Sequence, residues 1–160
     1  MRLFEFDKKL VHFATEPISK LVHRIQHVNQ PAFKPAGLWV SDEAGYGWED
    51  WCREEHFGIG KFKYEIILSR NAKILLLDTA GDIAWLEREF GMPLHPEISA
   101  RYINWDRVSE RWDGLFIMPY QWSQRLEFAW YYGWDCSSGC IWNIDIVQTL
   151  IKVDKRLVNC

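Results

Sequence analysis

No apolar run in this 160-residue chain approaches the roughly 18 residues of a membrane span, and the charged start MRLFEFDKKL lacks the apolar stretch of a secretion signal. Neither a bilayer partner nor export is expected, and the chain reads as cytoplasmic. Charge of one sign is also lacking. Nineteen Lys+Arg against 22 Asp+Glu give a net of −3, which removes any chain-wide electrostatic case for wrapping a nucleic acid. Missing too are a GxSxG elbow, an HExxH helix, a Walker loop and a GxGxxG turn, and with them the common hydrolase, zincin and nucleotide signatures. With no repeat, linker or low-complexity stretch, the length predicts one domain over residues 1–160.

Cysteine is sparse and badly spaced for a metal. Of Cys52, Cys136, Cys140 and Cys160, only Cys136 and Cys140 are close, and their CxxxC spacing is not that of a zinc knuckle. Without an export signal, reduced and packed thiols are expected. His23 and His27 share an i, i+4 face but have no evident third ligand, so they read as surface polar residues and no metal is expected. What the chain does have is ten Trp. Tryptophan fills cores or lines clefts that take planar ligands, and the pairs Trp48/Trp51 and Trp130/Trp134 are where a cleft is best supported.

The order of elements reads as α+β. LVHFAT (10–15) is a short strand. PISKLVHRIQHVNQ (17–30) places Ile18, Leu21, Val22 and Ile25 at helical spacing. GLWVS (37–41) is a second strand, and GYGWEDWCREEHFG carries Trp48, Trp51, Cys52 and Glu55 on one helical face before a Gly58 stop. KFKYEIILS and AKILLLD follow at the spacing of a hairpin or tight link. TAGDIAWLEREFG is a helix capped by Thr79 or Asp82 and closed at Gly91. MPLHPEISARY reads as a loop, INWDRVSERW as a short helix, and DGLFIMPY as a strand. QWSQRLEFAWYYGW is ambiguous, GCIWNIDIV is strand-like, and QTLIKVDKRLV forms one more strand or a helix.

Two residues stand out within these elements. His12 sits in an apolar strand, where it must be satisfied by a partner or face a cleft, with the Thr15 hydroxyl at the strand end. Asp135 heads DCSSGCIWN, where its ordinary role is to cap a turn.

The segment order, LVHFAT, a helix, GLWVS, an aromatic helix, YEIILSRNAKILLLD, then RWDGLFI and SSGCIWNIDIV, resembles the ADP-ribosyltransferase superfamily over roughly residues 10–147. The resemblance implies a split antiparallel β-sandwich of two small sheets around a cleft, with two to four flanking helices. It implies NAD+ as substrate and transfer of ADP-ribose to a protein or nucleic-acid acceptor. In this superfamily that chemistry often serves toxins or phage effectors. His12, with Thr15 beside it, would meet the nicotinamide-side ribose, Ser41 would close the second motif, and Tyr46 or Trp48 would stack.

The third motif departs from the pattern, because the Glu that heads the last core strand in the family is absent here. Asp135 is the expected replacement, acting electrostatically on the oxocarbenium-like transition state. Ser138 would hydrogen-bond the ribose, and Glu127 is a further candidate. The missing Glu also keeps open a non-enzymatic reading, an inactive binding or inhibitory module that docks a partner through its aromatic surface. A phosphotransferase-like relative would need arginines at the cleft, for which Arg101, Arg107, Arg111 and Arg125 are available.

Overall fold

Two hydrophobic cores, one on each face of a single large sheet, organise the molecule. The computed structural model describes residues 4, 6–26 and 32–154. Its strands are β1 (Leu10–Ala14), β2 (Leu38–Asp42), β3 (Phe62–Leu68), β4 (Ile74–Leu77), β5 (Gly91–His95), β6 (Ile98–Ile103), β7 (Gly114–Ile117), β8 (Ser138–Ile141) and β9 (Val147–Val153). The helices among the described residues are α1 (Trp48–Glu54), α2 (Ala80–Phe90) and α3 (Trp105–Ser109), with 3₁₀ turns at Trp122–Gln124 and Ile144–Ile146. Seven strands form a mixed sheet in the order β4-β7-β8-β2-β1-β3-β9, and β5 and β6 form a separate hairpin. The α+β class with flanking helices agrees with the sequence reading.

The large sheet is nearly divided in two. β1 and β2 run side by side but pair only through Leu10↔Asp42 and Val11↔Ser41. By contrast β1 pairs with β3 along its whole length, from Leu10↔Ile66 to Ala14↔Phe62. A four-strand half, β4-β7-β8-β2, and a three-strand half, β1-β3-β9, therefore diverge beyond Val11.

Alternation explains the two cores, since successive strand residues point to opposite faces. Leu75, Leu77, Leu115, Ile117 and Cys140 pack with Ile83, Leu86 and Phe90 of α2 and with Trp105 and Val108 of α3. Leu76, Phe116 and Ile141 face the other way, onto Leu10, Tyr64, Ile66 and Ile146. At 25 cal/mol per Å², burial of each such side chain is worth about 1.5–3 kcal/mol.

Four expectations are corrected. Residues 18–26 form neither helix nor strand. Ile18 packs on the second core, but Val22 and Ile25 are 57% and 85% exposed, so the apolar stripe is not buried as one helical face, and helices of this kind depend on such burial. Instead Ile18 N–H donates to the Tyr64 hydroxyl at 2.9 Å, and the Gln26 amide brackets Ala36 with bonds of 2.7 and 2.9 Å. Residues 27–30 of the expected helix, His27 included, lie outside the described residues, as do Cys160 and the end of the tail from 155.

Second, of the hairpin or tight link expected between β3 and β4, the structure has the short link and not the hairpin: β4 pairs in parallel with β7, Leu75↔Leu115 and Leu76↔Phe116. Its unbroken ILLL suits a strand covered on both faces, which is where parallel pairing occurs. Third, residues 91–103, read as loop and helix start, are the β5–β6 hairpin, Met92↔Tyr102 and Pro93↔Arg101. Each strand of a lone hairpin has a free edge, the setting that tolerates proline. Fourth, α1 ends at Glu54 and not at Gly58, and the left-handed residue beyond it is His56, φ 54°.

The Thr79 cap of α2 is present as a reciprocal box. Thr79 Oγ1 accepts from Asp82 N at 3.2 Å, and Asp82 Oδ2 accepts from Thr79 N at 3.0 Å. The ambiguous segment 121–134 resolves into the 3₁₀ turn and a run of turns, and the described part of the tail is β9.

Candidate functional site

Where β1 and β2 part, a cavity of about 300 Å³ opens, lined among others by His12, Trp39, Ser41, Trp48, Trp134 and Asp135. Three sequence segments thus meet at one place: LVHFAT, GLWVS with the start of α1, and WDCSS. The register explains the convergence. Ser41 stands opposite both Val11 of β1 and Ser138 of β8, so the row Val11–Ser41–Ser138 crosses the floor. Trp39, two residues before Ser41, shares its face.

His12 occupies the split itself. Its Nδ1 lies 2.5 Å from the Trp39 carbonyl oxygen, an acceptor that the interrupted β1–β2 ladder leaves available. Because a carbonyl can only accept, Nδ1 carries the proton and Nε2 is the nitrogen that remains for a ligand. Burial lowers the His12 pKa below the usual histidine value, and the backbone bond to Trp39 opposes part of that shift. The ring is neutral at pH 7.

Ser41 is 3% exposed, and its hydroxyl has no hydrogen-bond partner among the described residues. The Ser138 hydroxyl donates to the Cys136 carbonyl at 3.1 Å. Trp48 stacks on Trp51, centroids 4.8 Å apart and planes 13° from parallel. Trp39 meets Trp134 edge to face at 4.9 Å, and Lys34 lies over the Trp39 ring at 5.2 Å. The Trp134 indole N–H and the Ser137 hydroxyl are buried without a hydrogen-bond partner among the described residues.

Asp135 reaches this cavity but also pairs outward: its Oδ1 lies 3.4 Å from Arg125 Nη2. The same guanidinium donates to the Tyr120 hydroxyl at 3.4 Å and sits over the Tyr132 ring at 5.3 Å. Neither adjacent thiol is activated. Burial pushes the Cys136 thiol up to about 12, with the Ser138 hydrogen bond opposing, and burial also raises Cys140 strongly. Both stay protonated, and nucleophilic roles for them fall away.

Five of the sequence-derived candidates, His12, Ser41, Trp48, Asp135 and Ser138, therefore share one cavity. The other three do not join them. Thr15 is exposed past the end of β1. Tyr46 lines a second cavity, where its hydroxyl donates to Glu54 Oε2 at 2.6 Å. Glu127 is exposed in the turns after Gln124 and lines neither cavity.

The arginines do not gather at the cleft. Arg101 donates to the Gly91 carbonyl at 2.7 Å, Arg107 and Arg111 lie over the Phe90 ring, and only Arg125 comes near. His23 pairs with Asp145 at 3.1 Å. Among the described residues no group of three or more His, Cys, Asp or Glu could hold a metal ion, and no helix is long and apolar enough to cross a membrane.

Sequence reasoning missed Trp39 and Lys34, whereas of the expected cleft pair Trp130/Trp134 only Trp134 reaches the cavity and Trp130 is fully buried in the core. Period-two alternation from Ser41 would have found Trp39. Lys34, in a proline-flanked loop, carries no such signal. No family model, no curated protein and no solved structure matches the chain.

Proposed function

We propose that the cavity binds the nicotinamide riboside end of NAD+ and that the protein transfers ADP-ribose to a macromolecular acceptor. One observation carries this reading: the sheet splits at His12, and the cavity at the split collects His12, Ser41, Trp48, Asp135 and Ser138 from separate parts of the chain.

The residues fit the substrate in kind. About 300 Å³ is at the small end of ligand pockets, which run roughly 300–1,000 Å³, and gives room for a ring and its sugar, with the rest of the dinucleotide across the open side. His12 Nε2 accepts from a ribose hydroxyl, and Ser41 offers a hydroxyl that the fold leaves unbonded. Trp48 supplies a stacking face.

In the reaction the bond between C1′ and the nicotinamide nitrogen breaks, and its electron pair leaves with nicotinamide. The acceptor nucleophile bonds C1′ and releases its proton to solvent. Asp135 places fixed negative charge near the cation that develops at C1′. Its contact with Arg125 is long, leaving the carboxylate capacity for a second partner.

That contact also favours the other reading, a binding module without turnover, because a carboxylate already matched by an arginine stabilises a new cation less. Calorimetric titration with NAD+ tests the binding step common to the enzymatic account. Saturable heat at millimolar NAD+ or below that falls at least tenfold in affinity in Ser41→Ala and His12→Ala supports it. No heat at millimolar NAD+ sinks it.

A further inference from the structure

We infer that the cavity on the far side of Arg125 is a receptor for a cationic side chain, lysine or arginine, of a polypeptide partner. This second cavity, about 350 Å³, is lined by Tyr46, Trp51, Trp122, Glu54, Glu55 and Arg125. The proposal does not depend on what the first cavity binds. Three aromatic rings from two segments line it, Tyr46 and Trp51 from one and Trp122 from the other, with Tyr46 packing on Trp122 at a centroid distance of 5.2 Å. Trp122 is 56% exposed, so its face is available to a ligand.

The charges around these rings decide the class of ligand. Glu54 accepts only the Tyr46 phenol, a neutral donor, since burial and then the Glu54 contact hold the Tyr46 pKa above its usual value. Glu55 has no ion-pair partner among the described residues. The cations nearby are engaged elsewhere. Arg53 pairs with Asp50 at 3.3 Å, and Arg125 is taken by Asp135, the Tyr120 hydroxyl and the Tyr132 ring. Two carboxylates against one lining cation, Arg125, which is itself shared with Asp135, leave excess negative charge beside aromatic faces, the combination that recognises guanidinium and ammonium groups through the ring quadrupole and charge-assisted hydrogen bonds. An anionic or neutral planar ligand would meet the same rings but be repelled, or left unassisted, by the carboxylates.

Ligand-observed NMR with N-acetyl-arginine amide, N-acetyl-lysine amide and the neutral isostere N-acetyl-citrulline amide tests this on the intact chain. At least one cationic probe binds saturably and at least tenfold more tightly than the citrulline probe. In the doubly substituted Glu54→Gln, Glu55→Gln protein that preference falls at least fivefold, and in Trp122→Ala binding of all probes weakens. Both variants alter exposed positions, and a far-UV spectrum matching the parent confirms their fold. Equal binding of citrulline, absence of binding by both cations, or an unchanged preference in the double variant overturns the proposal.

Discussion

The carboxylate of Asp135 and the guanidinium of Arg125 stand 3.4 Å apart, between a cavity that holds His12 and Ser41 and another lined by Tyr46, Trp51 and Trp122. Both side chains keep a quarter or so of their surface in solvent, 29% for Arg125 and 21% for Asp135, and pairs of this kind contribute about 0–1 kcal/mol. Asp135→Ala is therefore expected to change unfolding free energy by no more than about 1 kcal/mol in urea titrations. A loss several times larger would make the carboxylate a structural element and remove it from consideration as a poised charge.

The glycine of the SSGCIW stretch is a packing requirement. A Cβ on Gly139 would lie 1.8 Å from Cδ1 of Phe116, the fully buried ring across the β7–β8 ladder. Gly139→Ala should destabilise by about 1–3 kcal/mol, in the range of overpacked cores, and Phe116→Ala by about 3–5 kcal/mol. The two should not add. With the ring gone the new methyl group has space, so the double variant should be at least as stable as Phe116→Ala alone. Additive losses would contradict this packing.

His12 makes stability depend on pH. Its folded pKa lies below the unfolded value of about 6.5 because burial disfavours the imidazolium. The unfolded chain therefore binds the extra proton first. Stability is full above about pH 6.5 and declines as pH falls below it. Glu43, whose pKa is lowered by Lys63 and then Lys9, also costs stability in acid, but only as pH falls through the carboxylate range below about 4.5. Denaturant titrations of the parent and His12→Gln between pH 5 and 7.5 should show a decline in the parent that the variant lacks. Parallel curves would mean that His12 keeps an ordinary pKa.

Much of the site was legible because its pieces are short, well-bounded strands. β1 and β2 were each found from an apolar run with a clear end, and His12 and Ser41 followed. By contrast GCIWNIDIV read as one strand, although β8 ends at Ile141 and a 3₁₀ turn covers Ile144–Ile146, and Ser138 was singled out only through the family resemblance. The split between β1 and β2 was not legible, since nothing in LVHFAT or GLWVS says that pairing stops after Val11. Arg125 was visible only as one arginine among several. Its approach to Asp135 depends on turns 121–134, where aromatic residues match neither a helical nor a strand period. The helix expected at 17–30 is absent over its described part, 17–26, for the opposite reason. Its period was good, but Val22 and Ile25 stay exposed there. The hairpin at 91–103 was hidden by Pro93 and Pro96, which read as punctuation even though the free edge of β5 accommodates the first and the turn between β5 and β6 the second.

Thiol chemistry should be slow at the cleft. Burial raises Cys136 to about 12 and also raises Cys140 and Cys52, so the thiolate fraction at pH 8 is small at all three. Residue-resolved alkylation of the native protein should modify Cys136 and Cys140 far more slowly than the urea-unfolded chain. Labelling of Cys136 at the unfolded rate would point to an activated nucleophile that this account excludes.

The central claim is that the split at His12 forms a site for NAD+ cleavage. It is tested most directly by measuring free nicotinamide after incubation with NAD+, since water can serve as acceptor whatever the macromolecular one is. The account predicts time-dependent nicotinamide release by the parent protein and a fall of at least a hundredfold in Asp135→Ala, with folding retained. Release that is unchanged in Asp135→Ala, or no release from protein shown to bind NAD+, would contradict it.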